Sequence, residues 1–499
     1  MPITGELIGL DGRPLLSEER QARRQQRMQL SQQIGNRLRA RYDAAQTDRH
    51  NEKHWANADG LAADAAANAQ VRRILRNRSR YEAANNSYCA GMLRTLANDT
   101  IGTGPSLNLR SGGNDATEDN QVETLWWSWS QRTRLAIKLR TMRIAKGRDG
   151  ESFAAFITNP ALRHPIKLDL RLYEADQIAA PMLGLSPLVG DTDGILLDDF
   201  GNVAGYTLLR AHPGQTAFGA SPMDYVTVPA RDMVHLFLAE RAGQHRGVPE
   251  ITPALPLYAQ LRRYTLAVIA AAETAADLAA FIQTAAVPDD PDSVEPLDVI
   301  EIEKRMIMTL PDGYNISQLK AEQPTTTYDS FKKSILQEIA RCLNMPFNVA
   351  AGDSSGYNYS SGRMDHQVYF KSIDVERSDL ANELLDPLFE RWWAEARLIP
   401  GLLPPRLAAM PEPPAHEWRW DGREHVDPVK EASAQQTRIN SLTTTLAREY
   451  ASQGLDWREQ LEQIAVEQRV MRDLGISQSA PAASNVDQQD PQDNADAAN

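Results

Sequence analysis

Cysteine is nearly absent from this chain. Only Cys89 and Cys342 occur among 499 residues, too few for a disulfide framework, so the chain is expected to fold in a reducing cytoplasm with both thiols as small buried hydrophobes. A basic surplus is missing too. Lys and Arg total 53 against 66 Asp and Glu, a net charge of -13, which argues against wrapping or tightly gripping nucleic acid. No long apolar run is free of charge. The best candidate for a membrane span, Tyr264 to Ile282, is rich in alanine and carries Glu273 and Asp277 near its middle, where charges are costly in lipid, so it reads as a soluble, closely packed helix. The start, MPITGELIGLDGRPLL, lacks the basic opening and apolar core of a secretory signal, and no export is expected.

Several catalytic and ligand-binding signatures are missing or broken. No G-x-x-x-x-G-K-[ST] occurs, so the phosphate-cradling loop of a P-loop ATPase is excluded. IGTGPS at Ile101 to Ser106 has two of the three glycines of a dinucleotide fingerprint and reads as a turn. His50 and His54 are four apart, as two imidazoles on one helix face would be, but Glu52 stands where position 51 would be needed and no third ligand is evident; an exposed polar segment is the expectation. Asp191, Asp193 and Gly194 imitate a calcium loop whose glycine comes too early. Gly352-Asp353-Ser354-Ser355-Gly356 fits G-x-S-x-G, the turn that lifts a nucleophilic serine, with His416 or His425 as partners on paper. A nucleophile elbow needs a buried strand before it and a helix after it, whereas a helix, Met345-Pro346 and a short FNVAA precede this one. The expectation is no enzyme, no metal and no cofactor, with a serine hydrolase at Ser354 as the alternative.

With 42% hydrophobic residues over 499 positions, the chain can bury a sizeable core in two to four folding units. Ser17 to Gln46 is a polar segment in which Arg20, Arg23, Arg24, Arg27, Arg37, Arg39 and Arg41 outnumber the acids; it is a solvated helix or an arm that docks on an acidic partner or a neighbouring subunit. Asn57 to Leu96 is helical in character, with Val71, Ile74, Leu75, Met92, Leu93 and Leu96 on its inner face. A helix with Trp126 and Trp129 follows, then another from Leu135 to Lys146, a KGRDGE turn and a strand, SFAAFIT. GILLDDFGNVAGYTLLR reads as a hairpin turning at Asp198, Asp199, Gly201 and Asn202.

Pro253 opens a helix expected to run through about Thr284, with a stripe of small residues; at 1.5 Å per residue it would span ~45 Å. After VPDDPDSVEP come short strands at Glu301 to Leu310 and Tyr314 to Leu319, then a second helix from Tyr328 to Asn344 that stops at Met345-Pro346. The polar stretch GDSSGYNYSSG follows, then a helix with Leu380, Leu384, Leu388 and Trp392 inward, kinked or restarted at Pro387. Leu403 to Pro405 and Pro411 to Pro414 read as a linker, two helices lie between Pro428 and Leu474, and an acidic tail after Arg472 carries no basic residue and reads as disordered.

Five of these stretches, in order, resemble the lambda-type family of phage portal proteins. They are SRYEAANNSYCAGMLRTLANDTIGTG, GILLDDFGNVAGY, GQHRGVPEITPAL, IARCLNMPFNVAAGDSSGYNYSSGR and HVDPVKEASAQQTRI, and the fourth is the most specific. Gly362 stands where the family usually has a small residue, with Arg363 after it. Departures are modest: RNRSRYEAANN where many relatives have another basic residue nearer the asparagines, and a longer polar tail.

The resemblance implies a mixed α/β, mainly α fold with wing, stem helices, a small stranded clip, tunnel loop and helical crown, in a dodecameric ring around a channel. Its divisions would be a basic arm at 1–45, wing at 46–250, first stem helix at 251–284, clip at 285–326, second stem helix at 327–345, tunnel loop at 346–362, wing continuation and linker at 363–427, crown at 428–475 and tail at 476–499. It implies a virion protein at the capsid portal vertex, assembled in the host cytoplasm, with the terminase large subunit, major capsid or scaffold protein, head-tail connector proteins and double-stranded DNA as partners, the DNA bound weakly and without sequence specificity. Ser354, Ser355, Tyr357, Asn358, Tyr359, Ser360 and Ser361 would be the DNA-channel residues, the two tyrosines either buttressing the loop or facing the duplex. A head or tail structural protein without a DNA channel is the remaining alternative. No membrane is implied.

Overall fold

The structure, a computed structural model, describes residues 22, 24–30, 52–112, 116–180, 191–215, 224–277, 281–284, 314–317, 328–423 and 428–476. The chain divides into two compact units, Met1–Ala66 and Ala67–Asn499. In the first, residues 24–30 are helical and exposed, and a four-residue helix spans Ala63–Ala66. The remaining elements belong to the second unit.

Helices α1 (Ala69–Asn85) and α2 (Ser87–Ile101) meet at Asn86, whose backbone N–H donates to Glu82 while its side chain accepts from Tyr88 and Cys89. One short polar residue thus ends one helix and caps the next, which is why the helical stretch breaks there. α2 buries Cys89, Met92, Leu93 and Leu96 as expected. α1 is inverted: it buries Arg72, Arg76, Ser79 and Glu82 and leaves Ile74 exposed, because the surface facing it is lined by the carboxylates of Asp149, Glu151 and Asp176.

Strand β1 (Ser106–Arg110) leads to α3 (Ala116–Thr133) and α4 (Leu135–Asp149). α4 passes the expected end at Lys146, and the turn shrinks to Gly150, whose φ of 92° ends the helix and starts β2 (Glu151–Thr158) at once. β2 lies between β3 (Leu168–Tyr173) and β8 (Met233–Phe237), antiparallel to both. A second antiparallel sheet, β4 (Asp191–Thr192), β5 (Ile195–Leu197), β6 (Val203–Leu209) and β7 (Tyr225–Pro229), is a meander. The expected hairpin is its β5–β6 pair. Asp193 and Gly194 form a left-handed turn, with φ of 50° and 87°, and Asp193 pairs with Arg72 and Arg246, a structural turn held by arginines.

α5 (Leu255–Asp277) is shorter than the expected helix to Thr284. Phe281–Thr284 is instead a strand, β9, paired with β10 (Tyr314–Ser317); the aromatic, β-branched FIQT segment suits a pleated pair better than a helix. The strand expected at Glu301–Leu310 lies outside the described residues. α6 (Tyr328–Cys342) ends two residues before the expected Asn344, which turns left-handed (φ 51°) ahead of Met345-Pro346. Next come α7 (Phe347–Ala351), α8 (Tyr359–Leu380), a π-helical turn (Ala381–Leu385) and α9 (Asp386–Leu398). The wide turn restarts the helix so that Pro387 falls in its first turn, where no N–H is needed.

The proline-rich linker is part of the core. Leu403 and Leu407 are buried, and Ala415–Arg419 forms β11, antiparallel to β1. The C-terminal region holds three helices rather than two, α10 (Pro428–Asn440), α11 (Leu446–Ser452) and α12 (Trp457–Asp473), because Leu442 turns left-handed (φ 58°) and Thr445 caps a new helix by accepting from Arg448. The tail after Ile476 lies outside the described residues. Among the described residues no helix is long and apolar enough to cross a membrane.

One core cluster joins α3, α4, β2, β3, β8 and α9 around Trp126, Trp129, Phe389, Trp392 and Trp393. A second joins α2, the start of α5, α6 and α8 through Met92, Leu96, Tyr258, Ile339 and Tyr369. Phe389 is fully buried and edge-on to Trp126, with centroids 5.4 Å apart. Phe389→Ala should therefore cost about 3–5 kcal/mol in urea unfolding, while Leu398→Ala, at a position 82% exposed, should stay within about 0.5 kcal/mol of the parent.

Candidate functional site

The segment between α6 and α8 carries the residues singled out from sequence. Gly352, with φ of 67°, ends α7. Asp353 then accepts from the Ser355 amide at 2.9 Å and pairs with Lys333 of α6 at 3.3 Å. Hydrogen bonds from Ser355, aided by Lys333, hold the Asp353 carboxyl down at about 2, so it is ionised at any physiological pH. Tyr357 donates its amide to Ser354 at 3.2 Å and turns back into an open cleft of about 310 Å³ lined by Arg341, Asn344, Phe347, Asp365 and Val368. Burial raises its phenol. Tyr357 thus buttresses the segment, and Ser354, Ser355 and Asn358 are exposed.

The loop is shorter than 346–362. Phe347–Ala351 is helical and α8 begins at Tyr359, so Tyr359, Ser360 and Ser361 sit in the first turn of a helix. Pro346, with ψ of 148°, is the cap that precedes this single turn. Ser354 follows helix α7, without the buried strand a nucleophile elbow requires. His416 lies on β11, 3.3 Å from Asp386 and 3.0 Å from the Pro414 carbonyl; His425 and His50 lie outside the described residues, and His54 is in an exposed turn beside Trp55.

α8 is fixed to the body just beyond the loop. Tyr369 donates to Asp99 at 2.7 Å, and Arg377 donates to the carbonyls of Asp99 and Thr100 at the end of α2. Glu376 receives Arg143 at 2.7 Å and Lys146 at 3.0 Å, and Arg143 also holds Glu250 at 2.9 Å. Burial opposes the charge on Glu376, yet Arg143 and Lys146 keep its carboxyl below the ordinary range.

A second buried network centres on Glu151. Its carboxylate accepts from Arg246 at 2.6 Å, Arg76 at 3.0 Å, His235 at 3.1 Å and the Gly247 amide at 3.1 Å. Arg246 spends its other donors on the carbonyls of Ala175, Ile178 and Asp193. His235 is stacked between Phe153 and Phe237, with centroids 4.2 and 4.4 Å away. The signal was present, unread: Arg246 and Glu250 both stand in GQHRGVPEITPAL, and Arg80, which pairs with Asp149 and Asp176, in SRYEAANN. Glu174, Asp176 and His212 converge closely enough to hold a metal ion, but Arg76 and Arg80 already neutralise these carboxylates.

The sequence profile described as phage portal protein, lambda family, matches residues 48–377. The chain belongs to that family. It is 26% identical over 428 residues to a probable portal protein of Halomonas phage phiHAP-1, covering 81% of both chains. Among solved structures it is similar to a chain from the neck of an empty gene transfer agent particle, at 13% identity and a TM-score of 0.44 over 76% of this chain and 93% of that one. It is also similar to an HK97-family phage portal protein from Corynebacterium diphtheriae, at 13% identity and a TM-score of 0.26 over 75% and 99%. The family assignment rests on the sequence match. Portal proteins are structural components of the virion capsid that form oligomeric rings, and the mixed, mainly helical fold is that of this chain.

The buried network sets an acid limit on stability. Burial would raise the Glu151 carboxyl, but Arg246 and His235 hold it well below 4.5, while burial lowers His235 from 6.5. Both groups bind fewer protons folded than unfolded, so stability is full above these unfolded values and is lost as pH falls through 6.5 for His235 and below 4.5 for Glu151. Glu151→Gln should cost about 3–5 kcal/mol at neutral pH, since it leaves buried cations unpaired. In thermal melts the gap to the parent should narrow as pH drops below 4.5.

Proposed function

We propose that this portal chain forms a dodecameric ring at one capsid vertex, through which the terminase large subunit drives double-stranded DNA inward and through which the DNA later leaves. The family match over residues 48–377 carries this reading. In it, α5 and α6 are the stem pair, the insert holding β9 and β10 is the clip that meets terminase and then the head-tail connector proteins, and α10 to α12 are the crown. Assembly takes place in the host cytoplasm on the major capsid or scaffold protein.

The chemistry supports weak, sequence-independent contact with DNA. Residues 352–358 carry hydroxyls and amides but no Lys or Arg, and their one acid, Asp353, is paired with Lys333. A phosphate backbone sliding past such groups meets no deep minimum, whereas rows of cations would trap it. The missing P-loop leaves ATP hydrolysis to the terminase. Glycines 352 and 356 let the loop reposition.

Negative-stain images of the purified chain should show rings with a central pore. Monomers at every salt concentration would count against the ring, and closed particles without a pore would favour a structural role without a channel. Within the packaging reaction, lysine at both Ser355 and Asn358 should steepen salt dependence and reduce DNA packaged per head, while Ser354→Ala should package normally. Loss with Ser354→Ala alone would revive a nucleophilic role for that serine.

A further inference from the structure

The C-terminal helices α10 to α12 bury little of their own surface; neither α10 nor α12 holds a buried residue. Their attachment near β11 is correspondingly small. Gly422, just past that strand, lies so close to Gln453 that an added Cβ would be 2.4 Å from its carbonyl carbon. Asp456 completes the root. One of its oxygens caps α12, accepting from Arg458 at 2.6 Å and Glu459 at 3.2 Å, and the other pairs with Arg419 of β11 at 2.5 Å and accepts from Asn108 of β1 at 3.4 Å.

Beside this root a cleft of about 340 Å³ opens between α3, β1, β11 and the first turn of α12. Glu123 of α3 lines it, accepting from the Leu109 amide at 2.6 Å and from Asn108 at 3.5 Å. The charges facing Glu123 are Arg419 from β11 and Asp456 and Glu459 from α12. Of the other charges on the packed elements, Arg110 of β1 pairs with Glu417 of β11, His416 with Asp386 and Glu118 with Arg406, Asp119 accepts from the Ser111 amide, and Arg458 lies over Trp457.

We propose that this root is a proton-linked latch in which Arg419 changes partner, holding Asp456 when the root is closed and Glu123 when it opens. The idea concerns regulation of the C-terminal helices and stands independently of the channel reading. With the root closed, burial chiefly raises the Glu123 carboxyl, to about 7; Asp456 and Glu459 push in the same direction, and the Leu109 amide and Arg419 oppose them. Opening removes the burial and both α12 carboxylates and frees Arg419. Each of these changes lowers the carboxyl's pKa, so the closed root binds a proton that the open root releases. By linkage, rising pH favours opening, and each unit by which the closed-state pKa exceeds the open-state value changes the opening equilibrium about tenfold.

Hydrogen exchange of the full-length chain at pH 6 and pH 8, corrected for intrinsic rates, tests this. Peptides spanning Gly454–Gln463 and Ser106–Arg110 should exchange up to about tenfold faster at pH 8. Glu123→Gln, permanently neutral, should keep both peptides slow at either pH. Glu459→Gln, at an exposed position, should move the midpoint to lower pH by removing one repelling charge, and it keeps the test valid if the Glu123 variant folds poorly. Equal protection of the parent at the two pH values, a midpoint unmoved by Glu459→Gln, a pH response retained in Glu123→Gln, or parallel loosening of the Leu384–Trp393 core would each overturn the latch.

Discussion

The ion pair between Glu151 and Arg246 is the constraint on which the middle of the structure depends. Glu151 is the first residue of β2, immediately after the glycine that ends α4, and Arg246 lies in the segment that leads from β8 to α5. Arg76 brings α1 to the same carboxylate, His235 brings β8, and the carbonyls held by Arg246 bring the approach to the meander sheet. Burying so many charges is expensive, and such clusters rarely add stability over a well-packed apolar core. What they add here is geometry. A guanidinium with all its donors committed can sit in only one place, so one residue fixes the mutual position of two sheets and two helices. The backbone enforces the same closeness: a Cβ on Gly247 would lie 2.0 Å from the Gly150 carbonyl oxygen.

This arrangement explains which parts of the fold were legible in the sequence. Elements whose signal is apolar and local read correctly: the α2 face at Met92, Leu93 and Leu96, the hairpin at Asp198 to Asn202, the stop at Met345-Pro346, and the restart at Pro387. α1 did not, because its buried face is polar, and an arginine helix looks solvated until its carboxylate partners, some seventy or more positions away in sequence, are known. β11 did not either, since its half-exposed AHEWR sequence earns strand conformation only by pairing with β1, more than three hundred residues earlier. The end of α5 was misjudged for the opposite reason. Its alanine-rich pattern runs smoothly toward Thr284 and outweighs the short FIQT signal, whose strand conformation is secured by pairing with β10. At the candidate site, the position of the loop was readable from its glycines, while its extent was not: the serines that suggested an irregular segment also begin α8.

A line of contacts runs from the buried pair to α8, the helix that follows that loop. Gly247 binds Glu151, Glu250 three residues on binds Arg143, Arg143 binds Glu376 of α8, and Arg377 and Tyr369 tie α8 to the end of α2. Most links are charged side chains held at both ends, and the backbone of 247–250 joins the first two. α8 is therefore rigidly seated a few turns after it begins, and the π turn at 381–385 passes the chain on to the tryptophan core without a break. The loop at 352–358 is tied more lightly, by the Asp353 to Lys333 pair, by short backbone turns and by the Tyr357 phenol bonded to Asp365.

Rigidity and freedom are thus distributed by residue type. Where the chain must hold position, it uses arginine, whose planar array of donors can be saturated; where it must yield, it uses glycine and serine, whose bonds exchange readily with water. The loop at 352–358 stands apart from the core, because Tyr369 and Glu376 seat α8 between the two. In a ring of identical subunits, that separation lets each copy's loop adapt to its surroundings while the seats that define the ring's geometry stay fixed.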